Sequence, residues 1–163
     1  MGATVDERIK NLDAMLDEYD VKTGINCFKH DTSVQSILNY TQTDIRALTE
    51  EECGEDGYSL IRFAGYIQKE SNRLNARIRW LQRCINIETA ARIKDYGNNY
   101  TSYQERMFLA HNDSTNEYMK KLQDILMHAE IRKEELSFLS SKVASMAQTL
   151  IDQKQSKRKQ RWE

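Results

Sequence analysis

Residues 62–83, RFAGYIQKESNRLNARIRWLQR, contain no proline and read as helix from end to end. They carry six basic side chains and one acidic one, in a chain whose net charge is only −1. On a helical wheel, Tyr66, Lys69, Arg73, Arg77, Trp80 and Arg83 fall within about 60° of Arg62. The apolar positions occupy a separate arc, and Glu70 lies outside the basic one. Surface helices commonly balance such a face with carboxylates one turn away, and here that balance is missing. Three readings are open. The stripe is a track for a polyanion, a docking face for an acidic protein segment such as the chain's own N-terminal region, or a solvated face. Trp80 argues for a covered or ligand-binding face, because a tryptophan outside the apolar seam calls for a partner.

Outward from this stretch the charge is strongly segregated. Residues 1–59 hold 13 acidic and five basic side chains, a net −8. Residues 60–94 are net +6, and residues 95–163 net +1. Such segregation says more about partners than the total does. The end of the chain, QKQSKRKQRW, adds Lys154, Lys157, Arg158, Lys159 and Arg161 as a second basic element.

The seams around the stripe set the fold class. Leu60, Ala64, Ile67, Ser71, Leu74, Ile78, Leu81 and Ile85 recur in steps of four and three. Tyr118, Leu122, Ile125, Ala129, Leu136, Leu139, Val143, Met146 and Leu150 do nearly the same, with Arg132 as the misfit. That is coiled-coil spacing. Thr49 with Glu52, and Ser102 with Glu105, fit capping boxes that open two long helices. The first is expected to run to about Lys94 and the second to about Lys157, as rods of roughly 65–85 Å. Glycines 54, 57 and 65 leave continuity of the first through Gly65 open. Each glycine weakens a helix by roughly 1 kcal/mol relative to alanine.

The chain is therefore expected to be all-α. Residues 1–48 form an acidic N-terminal arm, 49–157 a long antiparallel helical hairpin, and 158–163 a basic C-terminal tail. Within the arm, Val5, Ile9, Leu12 and Leu16 predict a short amphipathic helix over about residues 4–19, and a second helix from near Asp31 to near Ala47. Phe63, Ile87, Leu126, Ile131, Phe138 and Ile151 widen the apolar stripes beyond one seam. Wider stripes want more than one neighbour, which points to a homo-oligomer.

No catalytic pattern emerges. His30, His111 and His128 lie on different elements, and no phosphate loop, nucleophile elbow or dinucleotide fingerprint is present. Cys27 and His30 have a ligand-like spacing without the second pair a tetrahedral zinc site needs. Neither a metal nor a cofactor is expected. Scattered Cys27, Cys53 and Cys84 point to reduced thiols in a cytoplasmic setting. No apolar run approaches a bilayer span, and Asp6 stands where a myristoylation motif wants Ser or Thr.

The segment ECGEDGYSLIRFAGYIQKESNRLNARIRW, with NEYMKKLQDILMHAEIRKEELSFLSSKVASMAQTLIDQKQSKRKQR, resembles the UvsY-like recombination mediators of tailed bacteriophages. The likeness is one of pattern and covers about residues 48–160. It implies an oligomer, active in the bacterial host's cytoplasm in DNA recombination and repair, that binds single-stranded DNA. It would help a RecA-type recombinase displace single-strand-binding protein, with no ATP or metal of its own. The residues read from the wheel for DNA contact are Arg62, Tyr66, Lys69, Arg73, Arg77, Arg79, Trp80 and Arg83, with Lys157, Arg158, Lys159 and Arg161 as an auxiliary element. The competing class is a structural or adaptor coiled-coil protein, such as a virion component or a protein inhibitor, whose basic stripe binds acidic protein.

Overall fold

Capping boxes decide where the helices begin. The computed structural model describes residues 4–24, 29–98 and 101–161, and in it the Thr49 backbone N–H donates to Glu52 Oε2 at 2.6 Å while Glu52 N–H donates to Thr49 Oγ1 at 3.2 Å. From there α4 runs Glu50–Arg92, 43 residues, and a single 3₁₀ turn, Ile93–Asp95, ends it. Ahead of it lie α1 (Val5–Thr23), α2 (Val34–Ile37) and α3 (Gln42–Ala47). Behind it come α5 (Tyr103–His111) and α6 (Glu117–Gln160), 44 residues. The described residues hold no strand, and none of their helices is long and apolar enough to cross a membrane.

Two breaks were not anticipated. The helix expected from Asp31 to Ala47 is two, because Thr41 opens a capping box with Asp44 and holds its own backbone extended (φ −81°, ψ 168°). The helix expected to continue from Ser102 to Lys157 stops at His111. There Asp113 accepts from the Thr115 hydroxyl at 2.6 Å and its backbone N–H at 2.8 Å, and also from the Tyr96 hydroxyl. Buried Asn116 then restarts the chain as α6: its side-chain oxygen accepts from Met119 N–H, and its amide donates to Glu88. Local side-chain bonds of this kind outcompete helix continuation.

α4 stays helical through all three glycines. At Gly57 an added Cβ would make only ordinary van der Waals contact, 4.0 Å from the Leu150 Cβ. At Gly54 an added Cβ would meet the flexible end of Lys154.

The chain packs as two compact units, and α4 and α6 run antiparallel within each. One comprises Met1–Glu18 with Arg73–Lys133, the other Tyr19–Asn72 with Glu134–Glu163. In the first, Val5, Leu81, Ile85, Met119 and Leu122 form the buried cluster, with Ile9, Trp80, Cys84 and Ile125 packed around it. In the second, Val34, Ile37, Ile45, Cys53, Leu60, Phe63, Ile67, Val143 and Leu150 are buried. Most seam positions are buried or half-buried. Of the residues expected to widen the stripes, Phe63 is buried and Leu126 and Ile151 half-buried, while Ile87, Ile131 and Phe138 stay exposed.

The turn before α6 predicts an acid response. Hydrogen bonds from the Thr115 hydroxyl, Tyr96 and the Thr115 backbone hold the Asp113 carboxyl down to about 2, from an ordinary 3.8. A carboxyl depressed in the folded state contributes stability above its unfolded value, and loses it as pH falls through the folded one. The parent protein should therefore lose more stability than Asp113→Asn between about pH 4 and pH 2. Parallel urea titrations across that window check this, and identical slopes would contradict it.

Candidate nucleic-acid interface

The basic stripe of α4 is divided between three environments. Arg73 and Arg77 face the acidic side of α1 within the first unit. Arg77 Nη2 donates to both carboxylate oxygens of Asp13 at 2.7 Å. Arg73 Nη2 donates to Asp17 Oδ1 at 2.6 Å and to the Asp13 backbone carbonyl at 3.4 Å. The four-residue step from Asp13 to Asp17 matches, in the opposite chain direction, the step from Arg77 to Arg73. On the α6 side, Lys121 Nζ lies 2.6 Å from Asp6 Oδ2, and Arg8 Nη1 donates to the Tyr118 hydroxyl at 2.9 Å. Trp80 is half-buried and packs, as Ile9 does, against the cluster of Val5, Leu81, Ile85, Met119 and Leu122. The tryptophan is thus covered in part from within its own unit.

Within the second unit, Lys69 Nζ stands 3.9 Å from Asp20 Oδ2, both side chains largely buried. Tyr66 stacks on Phe63 with ring centres 5.7 Å apart, and meets the His30 ring edge-on at 5.4 Å. Arg62 is exposed, near Asp31. Hydrogen bonds from the Ser33 side chain and backbone hold the Asp31 carboxyl below its ordinary range, with the Arg62 charge a smaller contribution.

Arg79 and Arg83 make up the third environment. Both are exposed on the side of α4 turned away from Leu81, and neither enters an ion pair with a described residue. At the far end of the chain, α6 carries Lys157, Arg158 and Lys159 on its last turn, where cations suit the negative end of the helix dipole. Lys157 donates to the Arg46 carbonyl at 2.9 Å, and Arg161 Nη1 is 3.9 Å from Glu50. Arg158 and Lys159 are exposed. Cys27 and Trp162 lie outside the described residues.

The sequence reading missed which carboxylates would meet which arginines. The matched spacing was visible in each helix, but pairing them requires knowing that Val5 and Ile9 set α1 antiparallel to α4.

Charges and apolar contacts contribute unequally to that docking. Half-exposed ion pairs are worth about 0.2–1 kcal/mol each. Burying a valine to the 3% exposure seen at Val5 stabilises by about 1.5–3 kcal/mol. Val5 therefore holds α1 in place, and Asp13 and Asp17 fix its register.

A hollow of about 650 Å³ lies beside α5, and the carboxylate of Glu105 in its lining is committed to the Ser102 cap. A second, of about 410 Å³, is lined by His111, Gln123 and Glu130 among others. Among the described residues no three His, Cys, Asp or Glu gather as a metal site. Comparison with protein families, with curated proteins and with solved structures finds no match to the chain.

The energetic ranking is checked by hydrogen exchange of the amides of residues 5–18. Val5→Ala should lower their protection by about tenfold or more, since about two methylenes' worth of burial is lost at ~0.8 kcal/mol each. Asp17→Asn should lower it less than fivefold. The reverse order would mean that charge, not burial, holds α1.

Proposed function

We propose that the chain is a non-enzymatic single-stranded DNA-binding protein, of the kind that helps a RecA-type recombinase displace single-strand-binding protein in the cytoplasm of a phage-infected bacterium. The observation that carries the reading is the chemistry of the α4 face. Where its guanidinium groups meet side chains of the chain, they meet carboxylates, and where they do not, at Arg79 and Arg83, they stand open to solvent. Planar guanidinium groups spaced along a rigid helix suit successive phosphates. A single strand bound this way releases counterions, so its affinity falls steeply with salt. Exposed Arg158 and Lys159 at the end of α6 are the auxiliary contact.

Exposed Ile87, Ile131 and Phe138 support self-association, since large apolar side chains on otherwise polar helix faces favour a second helix against them. The resemblance to phage mediators supplies the recombinase and the single-strand-binding protein as partners. A second reading, a protein-binding adaptor, is favoured by one specific observation: Arg73 and Arg77 already hold an acidic helix.

Reversing Arg73 or Arg77 would also disturb α1, so the clean test uses Arg79→Glu with Arg83→Glu. Anisotropy of a labelled oligo-dT should show at least a tenfold loss of affinity at unchanged helicity and oligomer mass. The log–log salt slope should become shallower by about 1.4, for two contacts at ~0.7 each. Binding equal to the parent's would remove Arg79 and Arg83 from the interface. No oligo-dT binding by the parent, at any salt, would leave the adaptor reading.

A further inference from the structure

We infer that α1 is a built-in competitor for the strand: its carboxylates occupy a second DNA-binding face made by Arg73, Arg77 and Trp80, which opens only when α1 leaves. The inference rests on the single-stranded DNA reading above and adds a gate to it.

Four observations carry it. The two arginines continue the run of cations that includes exposed Arg79 and Arg83 on the same helix, yet their side chains are only 26% and 33% exposed under α1. The groups that cover them are anions one helical turn apart, standing where phosphates of a strand would pair with the same arginines. Trp80 is the only tryptophan among the described residues, and it shares the arc of α4 that carries the two arginines, half-buried against the cluster on which Ile9 also packs. Uncovered, its ring would be a stacking platform for an unpaired base, a contact that the docked state withholds. The cover itself is slight. Of the α1 side chains only Val5 and Asp20 are buried, Ile9, Leu12 and Leu16 are half-buried, and Met15 turns to solvent at 68% exposure. A helix held this lightly can exchange with a polyanion that brings several phosphates at once.

α1 docking and strand binding at this face are then mutually exclusive, and each weakens the other by the same factor. A low concentration of strand meets only Arg79 and Arg83. A strand long enough to displace α1 gains Arg73, Arg77 and the Trp80 ring together.

The test uses the full chain and a labelled oligo-dT at fixed salt. Asp13→Asn with Asp17→Asn should tighten binding at least tenfold. Glu51→Gln with Glu55→Gln, which changes net charge equally at exposed positions in the first turns of α4, should tighten it less than threefold. In a Trp162→Phe background, Trp80 emission should change on adding oligo-dT to the otherwise native chain. Equal tightening in both pairs, or Trp80 emission that stays constant while the oligonucleotide binds, overturns the gate and leaves DNA binding at Arg79 and Arg83 standing. If neither parent nor variant binds, the DNA reading fails, and the gate fails with it.

Discussion

Burial of Val5 against Leu81 and Ile85 of α4 and Met119 and Leu122 of α6 turns a pair of helices into a three-helix unit. Two helices joined by a single seam bury one stripe each, which is marginal for a soluble structure. The third stripe comes from the far end of the chain, and it arrives on a helix rich in carboxylates. Once Val5 and Ile9 are seated, the antiparallel register leaves Asp13 opposite Arg77 and Asp17 opposite Arg73. The charge segregation of the sequence is thus satisfied inside the fold as well as offered to solvent.

This dual use resolves the conflict between a basic helix and a nearly neutral chain. Arginines that face α1 are neutralised at home, while Arg79 and Arg83 on the outer side are not. The same helix presents one face to packing, one to an internal acidic segment and one outward. Because half-exposed ion pairs contribute little to stability, these pairs set the register of α1 more than they hold it down.

Much of this was legible in the sequence, and the reasons are local. The heptad-like spacing fixed which faces of α4 and α6 are buried, and the Thr49–Glu52 and Ser102–Glu105 boxes fixed where two helices start. The wheel separated the basic stripe from the seam. Other features were missed. Residues 111–117, HNDSTNE, hold no apolar side chain and five consecutive turn-forming residues, so the Asp113–Thr115 turn and the Asn116 cap were signalled but went unread. The Thr41–Asp44 box escaped notice because it uses aspartate where glutamate is commoner. The role of the arm was out of reach for a different reason. It depends on a register between residues about 60 positions apart, which no single helix encodes.

The central claim is that α1 is seated on α4 through a specific pairing of Asp13 with Arg77, in register with Val5 burial. The direct measurement is hydrogen exchange of residues 5–18 in a charge swap. Asp13→Arg alone should lower their protection by placing two cations together, and adding Arg77→Asp should restore most of it. A double variant no better protected than Asp13→Arg alone would contradict the pairing, and with it the account of where the basic face of this chain is spent.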